Sequence, residues 1–210
     1  MTGSPESRLN AAIVRVAERT RERSPRGVIH DEADETEGTI DSDDAIGFDP
    51  MPVLRALHRY RAPAVVMGQV AGILHGSVEL TGDLDLLWSG NTRDTAAMTA
   101  AFGALEADLS SDDGIPVELA TAFSMPKVLF RTRSAAGDCC TPRLPWKGLN
   151  VAAFLARAET TEIDGLVVRY LTIGDLIAMR RATGRPKDVR RAAELEQLAA
   201  SRSRRTGGGG

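Results

Sequence analysis

Two aspartates separated by a single residue, Asp83 and Asp85, are the most chemically suggestive feature of the sequence. In an extended strand, residues i and i+2 point to the same face, so the two carboxylates would project together. Such carboxylates repel each other unless one is protonated or a cation lies between them. Mg²⁺, or Mn²⁺ in its place, suits this role because it binds one or two carboxylates together with substrate phosphates.

A glycine turn lies upstream of the aspartates. The apolar run 64–67 predicts a buried strand, and Gly68 then turns the chain into a helix that continues to His75. Free N–H groups at the start of a helix bind phosphate, and a glycine lets the phosphate approach closely. Either feature alone is common: a D-x-D is usually a solvated strand end, and a glycine often joins a strand to a helix. Gly68, Gln69 and the two aspartates together predict a site for a metal-bound nucleoside triphosphate.

The composition limits the classes of protein to consider. The chain has 210 residues, of which 42% are hydrophobic and 26% charged, as is typical of a soluble globular protein. A net charge of -3 argues against general nucleic-acid binding. We expect no membrane partner and a cytoplasmic location, because the sequence has neither a long apolar run nor a signal-peptide pattern. The adjacent Cys139 and Cys140 are expected to be reduced and buried.

Charge and periodicity divide the chain into four segments. Residues 1–47 are expected to form an N-terminal helix and an acidic disordered linker, because residues 31–49 contain nine acids and no lysine or arginine. Residues 48–148 are predicted to form the compact core, and residues 149–200 a C-terminal strand and helices. Residues 201–210 are predicted to be a flexible tail.

Strands and helices are mixed in the compact part without a regular alternation. This pattern predicts an α+β fold in which a mixed β-sheet is flanked by helices and followed by a C-terminal helical part. Strands are expected at 64–67, 83–87, 117–120, 127–132 and 166–171. Helices are expected at 50–62, 92–108, 150–158, 172–184 and 186–200.

The span 65–87 reads VVMGQVAGILHGSVELTGDLDLL and resembles the nucleotidyltransferase superfamily, in the branch of AbiEii-type toxins and minimal nucleotidyltransferases. The residues that match the branch pattern are Gly68, Ala71, His75, Gly76, Thr81, Asp83 and Asp85. Residues 171–179 resemble the L-[ST]-x-x-DL-I-x-M helix of this branch, and residues 184–188 resemble its [GR]-x-KD element. The resemblance covers residues 48–200 and implies a nucleotidyltransferase-like fold.

The resemblance also implies roles for individual residues. Asp83 and Asp85 would hold Mg²⁺, and the turn at Gly68 and Gln69 would hold the β- and γ-phosphates. Lys187 would reach the triphosphate, and Asp188 would orient Lys187.

Basic residues near the C-terminus are further candidates for contact with a triphosphate or RNA, and we name Arg181 as a phosphate-binding residue. The other members of this group are Arg180, Arg185, Lys187, Arg190 and Arg191.

The implied activity is Mg²⁺-dependent transfer of a nucleotide from an NTP to a hydroxyl of RNA, such as tRNA, or of a protein. A toxin paired with a cognate antitoxin is the biological setting that the resemblance suggests. An antibiotic-modifying nucleotidyltransferase would share the glycine turn and the D-x-D, but the C-terminal KD element argues against this reading.

Three departures from the family pattern favour an alternative. Gln69 replaces a Gly or Ser, Glu79 replaces an Arg, and Cys140 stands at the position of the third acid. A thiol is a poor ligand for Mg²⁺, so Asp138, on the same strand face, or Glu118 is the candidate third metal ligand. The alternative is a catalytically degenerate relative that binds a nucleotide or a partner protein.

Overall fold

The computed structural model describes residues 3–28 and 40–207. Within these residues, seven strands form one mixed sheet, which eight α-helices flank. The predicted mixed sheet flanked by helices is therefore confirmed. None of the helices in this described part combines the length and the apolar character needed to cross a membrane.

The strands are β1 (Val65–Val66), β2 (Leu86–Leu87), β3 (Asp108–Ser110), β4 (Lys127–Arg131), β5 (Ala136–Cys140), β6 (Glu159–Ile163) and β7 (Leu166–Tyr170). The helices are α1 (Pro5–Thr20), α2 (Met51–Arg59), α3 (Gly68–Leu74), α4 (Thr92–Ala104), α5 (Leu119–Ala122), α6 (Val151–Ala156), α7 (Ile173–Thr183) and α8 (Pro186–Gly207). A 3₁₀ turn covers Asp43–Ala45.

The central strands bring the glycine turn and the aspartates to one edge of the sheet. The strand order is β3-β4-β5-β2-β1-β7-β6, and β1 and β2 are antiparallel. The end of β1 therefore lies beside the start of β2, and the N–H of Met67 donates to the carbonyl of Asp85 at 2.9 Å. Both short strands are fully buried, as expected for strands covered on both faces.

Local sequence signals explain several helix ends. The Asp49 carboxylate accepts a hydrogen bond from the N–H of Met51 at 2.9 Å, next to the first turn of α2. The Thr172 hydroxyl accepts from the N–H of Asp175 at 3.1 Å and caps α7. Gly184 ends α7 in the left-handed conformation, with φ of 72°. These helix boundaries agree with the sequence prediction.

The N-terminal helix α1 packs on its own chain. Leu9, Ala12 and Val16 on one face are buried, and α1 contacts α3 and β6. The Ser4 hydroxyl caps α1 by accepting a hydrogen bond from the N–H of Ser7. Burial of this apolar stripe explains why so short a helix is stable, since an isolated helix of this length would be marginal.

The part of the predicted disordered linker that the structure describes, residues 40–47, is packed against the core, so the prediction is wrong there. Ala45 is completely buried. A Cβ on Gly82 would lie 2.3 Å from the Cβ of Ala45, so the two small residues allow this contact. The Arg23 guanidinium also donates to the carbonyls of Asp41 and Ser42, at 2.6 and 3.1 Å. Acidic composition did not reveal these contacts, and residues 29–39 lie outside the described part.

Other element predictions need correction. The chain at 117–120, expected to be extended, turns into α5 after Glu118, and α4 ends at Ala104 rather than near residue 108. Strand β3 was not predicted because it is only three residues long. Strand β6 was not predicted because most of its residues are exposed and polar. The flexible tail predicted from residue 201 is wrong for 201–207, where α8 continues.

Candidate functional site

A groove of about 1100 Å³ lies at the edge of the sheet where β1 ends and β2 begins. We call it the central groove. The predicted site residues that line it are Gly68, Gln69, Asp83, Asp85, Asp138, Lys187 and Asp188. The structure thus brings together residues from the beginning, middle and end of the compact part. The predicted phosphate-binding residue Arg181 does not line the central groove.

The Asp85 carboxylate lies directly over the glycine turn. A Cβ on residue 68 would be 1.7 Å from Oδ2 of Asp85, which is an impossible contact, and Gly68 has φ of +60°. Only glycine satisfies both conditions without strain. Asp83 forms a parallel bridge with Ala136, and its carboxylate accepts a hydrogen bond from the Thr81 hydroxyl.

Asp138 is the third carboxylate of the central groove. Strands β2 and β5 are parallel with Leu86 opposite Cys139, so one step back along each strand Asp138 lies opposite Asp85. Residues opposite each other share a face, and the Asp138 carboxylate is one of the charges that raise the pKa of Asp85.

The residue at the family's third-acid position, Cys140, is buried and does not line the central groove. Burial raises the pKa of the Cys140 thiol, which makes a thiolate ligand unfavourable. Glu118, the other candidate, is exposed and also lies outside the groove lining. Of these three candidates, Asp138 is therefore the one that lines the central groove with Asp83 and Asp85.

The central groove holds carboxylates that are costly to ionise together. Burial raises the pKa of Asp85 well above its ordinary value, and the Asp83 and Asp138 carboxylates raise it further. Lys187 and Lys127 act in the opposite direction and offset this only in part. Burial also raises the pKa of Asp138, against the opposing charge of Lys127.

The carboxylate oxygens of Asp83 and Asp85 are hard donors, the type of ligand that a divalent cation such as Mg²⁺ prefers. Among residues 3–28 and 40–207, no three carboxylate, imidazole or thiol groups converge as a complete metal site. A cation on Asp83 and Asp85 would therefore need further ligands, and substrate phosphates commonly supply these to Mg²⁺.

Lys127 lines the central groove and is held between two carboxylates. Its ammonium group lies 2.6 Å from Oδ1 of Asp112 and 3.2 Å from Oδ2 of Asp138. Burial lowers the pKa of Lys127, but the charge of Asp138 and the hydrogen bonds that the ammonium donates to both carboxylates outweigh burial and raise it above its ordinary value. Lys127 is therefore a permanent cation within this acidic region.

The side chain of Gln69 neither crowds the central groove nor offers its amide to a ligand. Its Nε2 donates to the Ser77 hydroxyl at 2.9 Å and to the Glu79 carbonyl at 2.8 Å. Its Oε1 accepts from Arg180 at 2.7 Å. The amide is thus engaged in supporting the loop after α3, and any phosphate contact of Gln69 is left to its backbone N–H.

Arg180, one of the basic candidates named from the sequence, has a position in the groove that the sequence did not specify. It is only 6% exposed, lines the central groove and donates through Nη2 to the Gly68 carbonyl at 3.3 Å. Its Nη1 is buried with no hydrogen-bond partner. Burial, reinforced by the neighbouring Arg191, lowers the pKa of Arg180 to about 10. A buried guanidinium with an unused N–H is a strong site for an anionic acceptor.

Arg181, the predicted phosphate-binding residue, points away from the central groove and donates to Glu196 at 2.8 Å. Adjacent arginines look alike in a sequence, but helix periodicity distinguishes them. Arg180 follows the buried Leu176 by four residues and therefore lies on the same inner face of α7.

The KD element lies in the first turn of α8. Lys187 and Asp188 are both buried, at 8% and 6% exposure, and both line the central groove. Asp188 accepts a hydrogen bond from Nε of Arg185 at 2.7 Å, and its charge also supports the protonated form of Arg180. Two buried residues of opposite charge thus line the same groove as Asp83 and Asp85.

The acidic Glu79 is compensated within the chain. Its carboxylate lies 3.0 Å from Nε of Arg191, which is buried on α8, and Glu79 does not line the central groove. The replacement of an Arg by Glu79 therefore adds no negative charge to the lining of the groove. Arg180 and Arg191, contributed by the C-terminal helices, place positive charge at this end of the groove instead.

The central groove thus combines paired hard-oxygen donors, a turn without a side chain, and buried cations. No protein-family model matches the sequence, and no curated protein sequence matches it significantly. The resemblance to nucleotidyltransferases therefore rests on the sequence motifs alone.

Proposed function

We propose that this chain has a nucleotidyltransferase-like fold and transfers a nucleotide from an NTP to an acceptor hydroxyl with the help of Mg²⁺. The observation that supports the proposal best is the convergence of two distant motifs on one groove. The aspartates after the glycine turn and the cations of α7 and α8 all line it. A magnesium triphosphate matches this pattern, because it presents a cation and an extended anion together.

The proposed binding roles follow from burial and charge. Asp83 and Asp85 would hold Mg²⁺, which when bound supplies charge neutralisation to the triphosphate. Arg180 would donate its unused N–H to a phosphate oxygen, and Lys187 would contribute a second positive charge. Both side chains are held in place by burial, so little conformational entropy is lost when the substrate binds.

The proposed chemical step is an in-line displacement at the α-phosphate. A bond forms between the acceptor oxygen and the α-phosphorus while the bond to the leaving pyrophosphate breaks. The acceptor proton passes to a groove carboxylate, and Arg180 and Lys187 stabilise the charge that develops on the pyrophosphate. Positioning and electrostatic stabilisation supply most of the rate in phosphoryl-type transfer.

The acceptor and the biological setting are part of the proposal. The family resemblance supports a hydroxyl of RNA, such as tRNA, or of a protein as the acceptor. It also supports a role for the chain as a cytoplasmic toxin that a cognate antitoxin restrains. The basic residues do not form one continuous face for RNA. Arg180, Lys187 and Arg191 are buried, whereas Arg181 and Arg190 are exposed.

A catalytically degenerate binding protein is the second candidate. The engagement of Asp138 by Lys127 favours it, because an acid already paired with a cation is a weaker metal ligand or base. A protein of this kind would bind the triphosphate in the central groove but would not transfer the nucleotide.

Incubation with each α-labelled NTP, Mg²⁺ and either tRNA or total cell protein distinguishes the candidates. We expect label transfer by the wild type and at least a 100-fold lower rate for Asp83→Asn, as is usual when one strong electrostatic contact is lost. Asp164→Asn removes an exposed carboxylate that does not line the groove and serves as the control. Triphosphate binding without transfer would support the degenerate candidate, and absence of both would overturn the proposal.

A further inference from the structure

We infer that Lys127 occupies the place of a second metal ion, so that the central groove takes only one divalent cation with its triphosphate. The inference rests on the proposed function, because it specifies how many metal ions accompany the nucleotide. Two-metal sites in phosphoryl-transfer enzymes hold their ions roughly 3.5–4 Å apart, close to shared carboxylates. A second ion here would therefore need a carboxylate beside Asp85.

Asp138 is that carboxylate, and Lys127 already binds it. The strand register places Asp138 opposite Asp85. The Lys127 ammonium lies 3.2 Å from Oδ2 of Asp138 and 2.6 Å from Oδ1 of Asp112. The Lys127 side chain is only 24% exposed, so the body of the protein holds it in this position.

The charges around the aspartates agree with a single ion. The complete lining of the central groove contains eight aspartates and six lysines and arginines. They leave two negative charges, which one divalent cation neutralises. A second divalent cation on Asp138 would also be repelled by the Lys127 ammonium, which already lies 3.2 Å from the same carboxylate.

Arg131 provides a matched comparison on the same strand. It is another cation of β4 that lines the central groove, but its partner is Asp44 and its side chain is 60% exposed. Removing Arg131 changes the net charge by the same amount as removing Lys127, yet leaves Asp138 paired. A difference between the two variants therefore reports on position and not on total charge.

Counting bound Mn²⁺ by electron paramagnetic resonance, with a saturating α,β-methylene NTP, tests the inference. We expect one Mn²⁺ per chain for the wild type, Lys127→Arg and Arg131→Met, and two for Lys127→Met. Two ions on the wild type, or a single ion on a folded Lys127→Met, would overturn the inference while leaving the proposed function intact. Binding of neither Mn²⁺ nor nucleotide to the wild type would overturn both.

Asp138→Asn gives a second test that does not depend on how well Lys127→Met folds. If Asp138 serves Lys127 and not a metal ion, the Mn²⁺ dissociation constant of this variant stays within about threefold of the wild-type value, which corresponds to less than about 1 kcal/mol. Weakening of Mn²⁺ binding by tenfold or more would mean that Asp138 is a metal ligand, which would contradict the inference.

Discussion

Replacing Gly68 by alanine tests whether the Asp85 carboxylate really lies over the glycine turn. The new Cβ would be 1.7 Å from Oδ2, 2.6 Å from Cγ and 2.9 Å from Cβ of Asp85. Because the Cβ of Asp85 is itself too close, rotation of the carboxylate alone cannot relieve the clash. The backbone or the whole Asp85 side chain must move away from its position at the start of β2.

The expected cost has two parts. A left-handed φ costs a non-glycine residue about 1 kcal/mol or somewhat more. Overpacking of a closed contact costs roughly 1–3 kcal/mol more. Gly68→Ala should therefore lose about 3 kcal/mol, which lowers the melting temperature of a chain of this size by roughly 6–12 °C. It should also abolish triphosphate binding that depends on Asp85.

Gly165→Ala is the control, measured by the same thermal denaturation. Gly165 has φ of +72° but no atom within 4 Å of an added Cβ, so only the backbone cost applies. We expect this variant to melt about 2–4 °C below the wild type. Equal melting temperatures for the two variants would refute the close approach of Asp85 to Gly68.

Three further predictions concern binding and stability. Arg180→Ala should weaken binding of a magnesium triphosphate by about tenfold or more in calorimetric titration, as for a lost charged hydrogen bond, whereas Arg181→Ala should have almost no effect; similar losses would contradict the role of Arg180. The folded protein holds the Asp85 proton more tightly than the unfolded chain does, because the pKa of Asp85 is raised in the folded state. The metal-free protein therefore loses stability progressively as the pH rises above about 4, the ordinary pKa of an aspartate. Asp85→Asn should therefore raise the urea midpoint at pH 7 but not near pH 4, and an equal gain at both would exclude this cause. On α1, the buried Leu9→Ala should cost about 2–4 kcal/mol and the exposed Val14→Ala less than about 0.5 kcal/mol, and comparable values would show that α1 is not docked.

Much of the site was predictable because it depends on local sequence. The apolar run before Gly68 and the alternating residues around Asp83 and Asp85 indicate a strand, a turn and a second strand without any long-range information. Their meeting at one edge follows once β1 and β2 pair. The caps at Asp49 and Thr172 were predictable for the same local reason.

Contacts between distant segments were not predictable. The roles of Gln69 and Glu79 depend on Arg180 and Arg191, which come from helices far along the chain. The acidic composition around Ala45 indicated disorder, but its packing depends on the absence of a side chain at Gly82. Each of these features is set by a partner that no local pattern specifies.

A crystal structure with Mn²⁺ and an α,β-methylene NTP tests the central claim most directly. Anomalous scattering would locate the metal. The account predicts Mn²⁺ between the carboxylates of Asp83 and Asp85, with a phosphate oxygen within hydrogen-bond distance of Nη1 of Arg180. A metal and triphosphate bound elsewhere on the chain, or a central groove that stays empty at millimolar nucleotide, would contradict it.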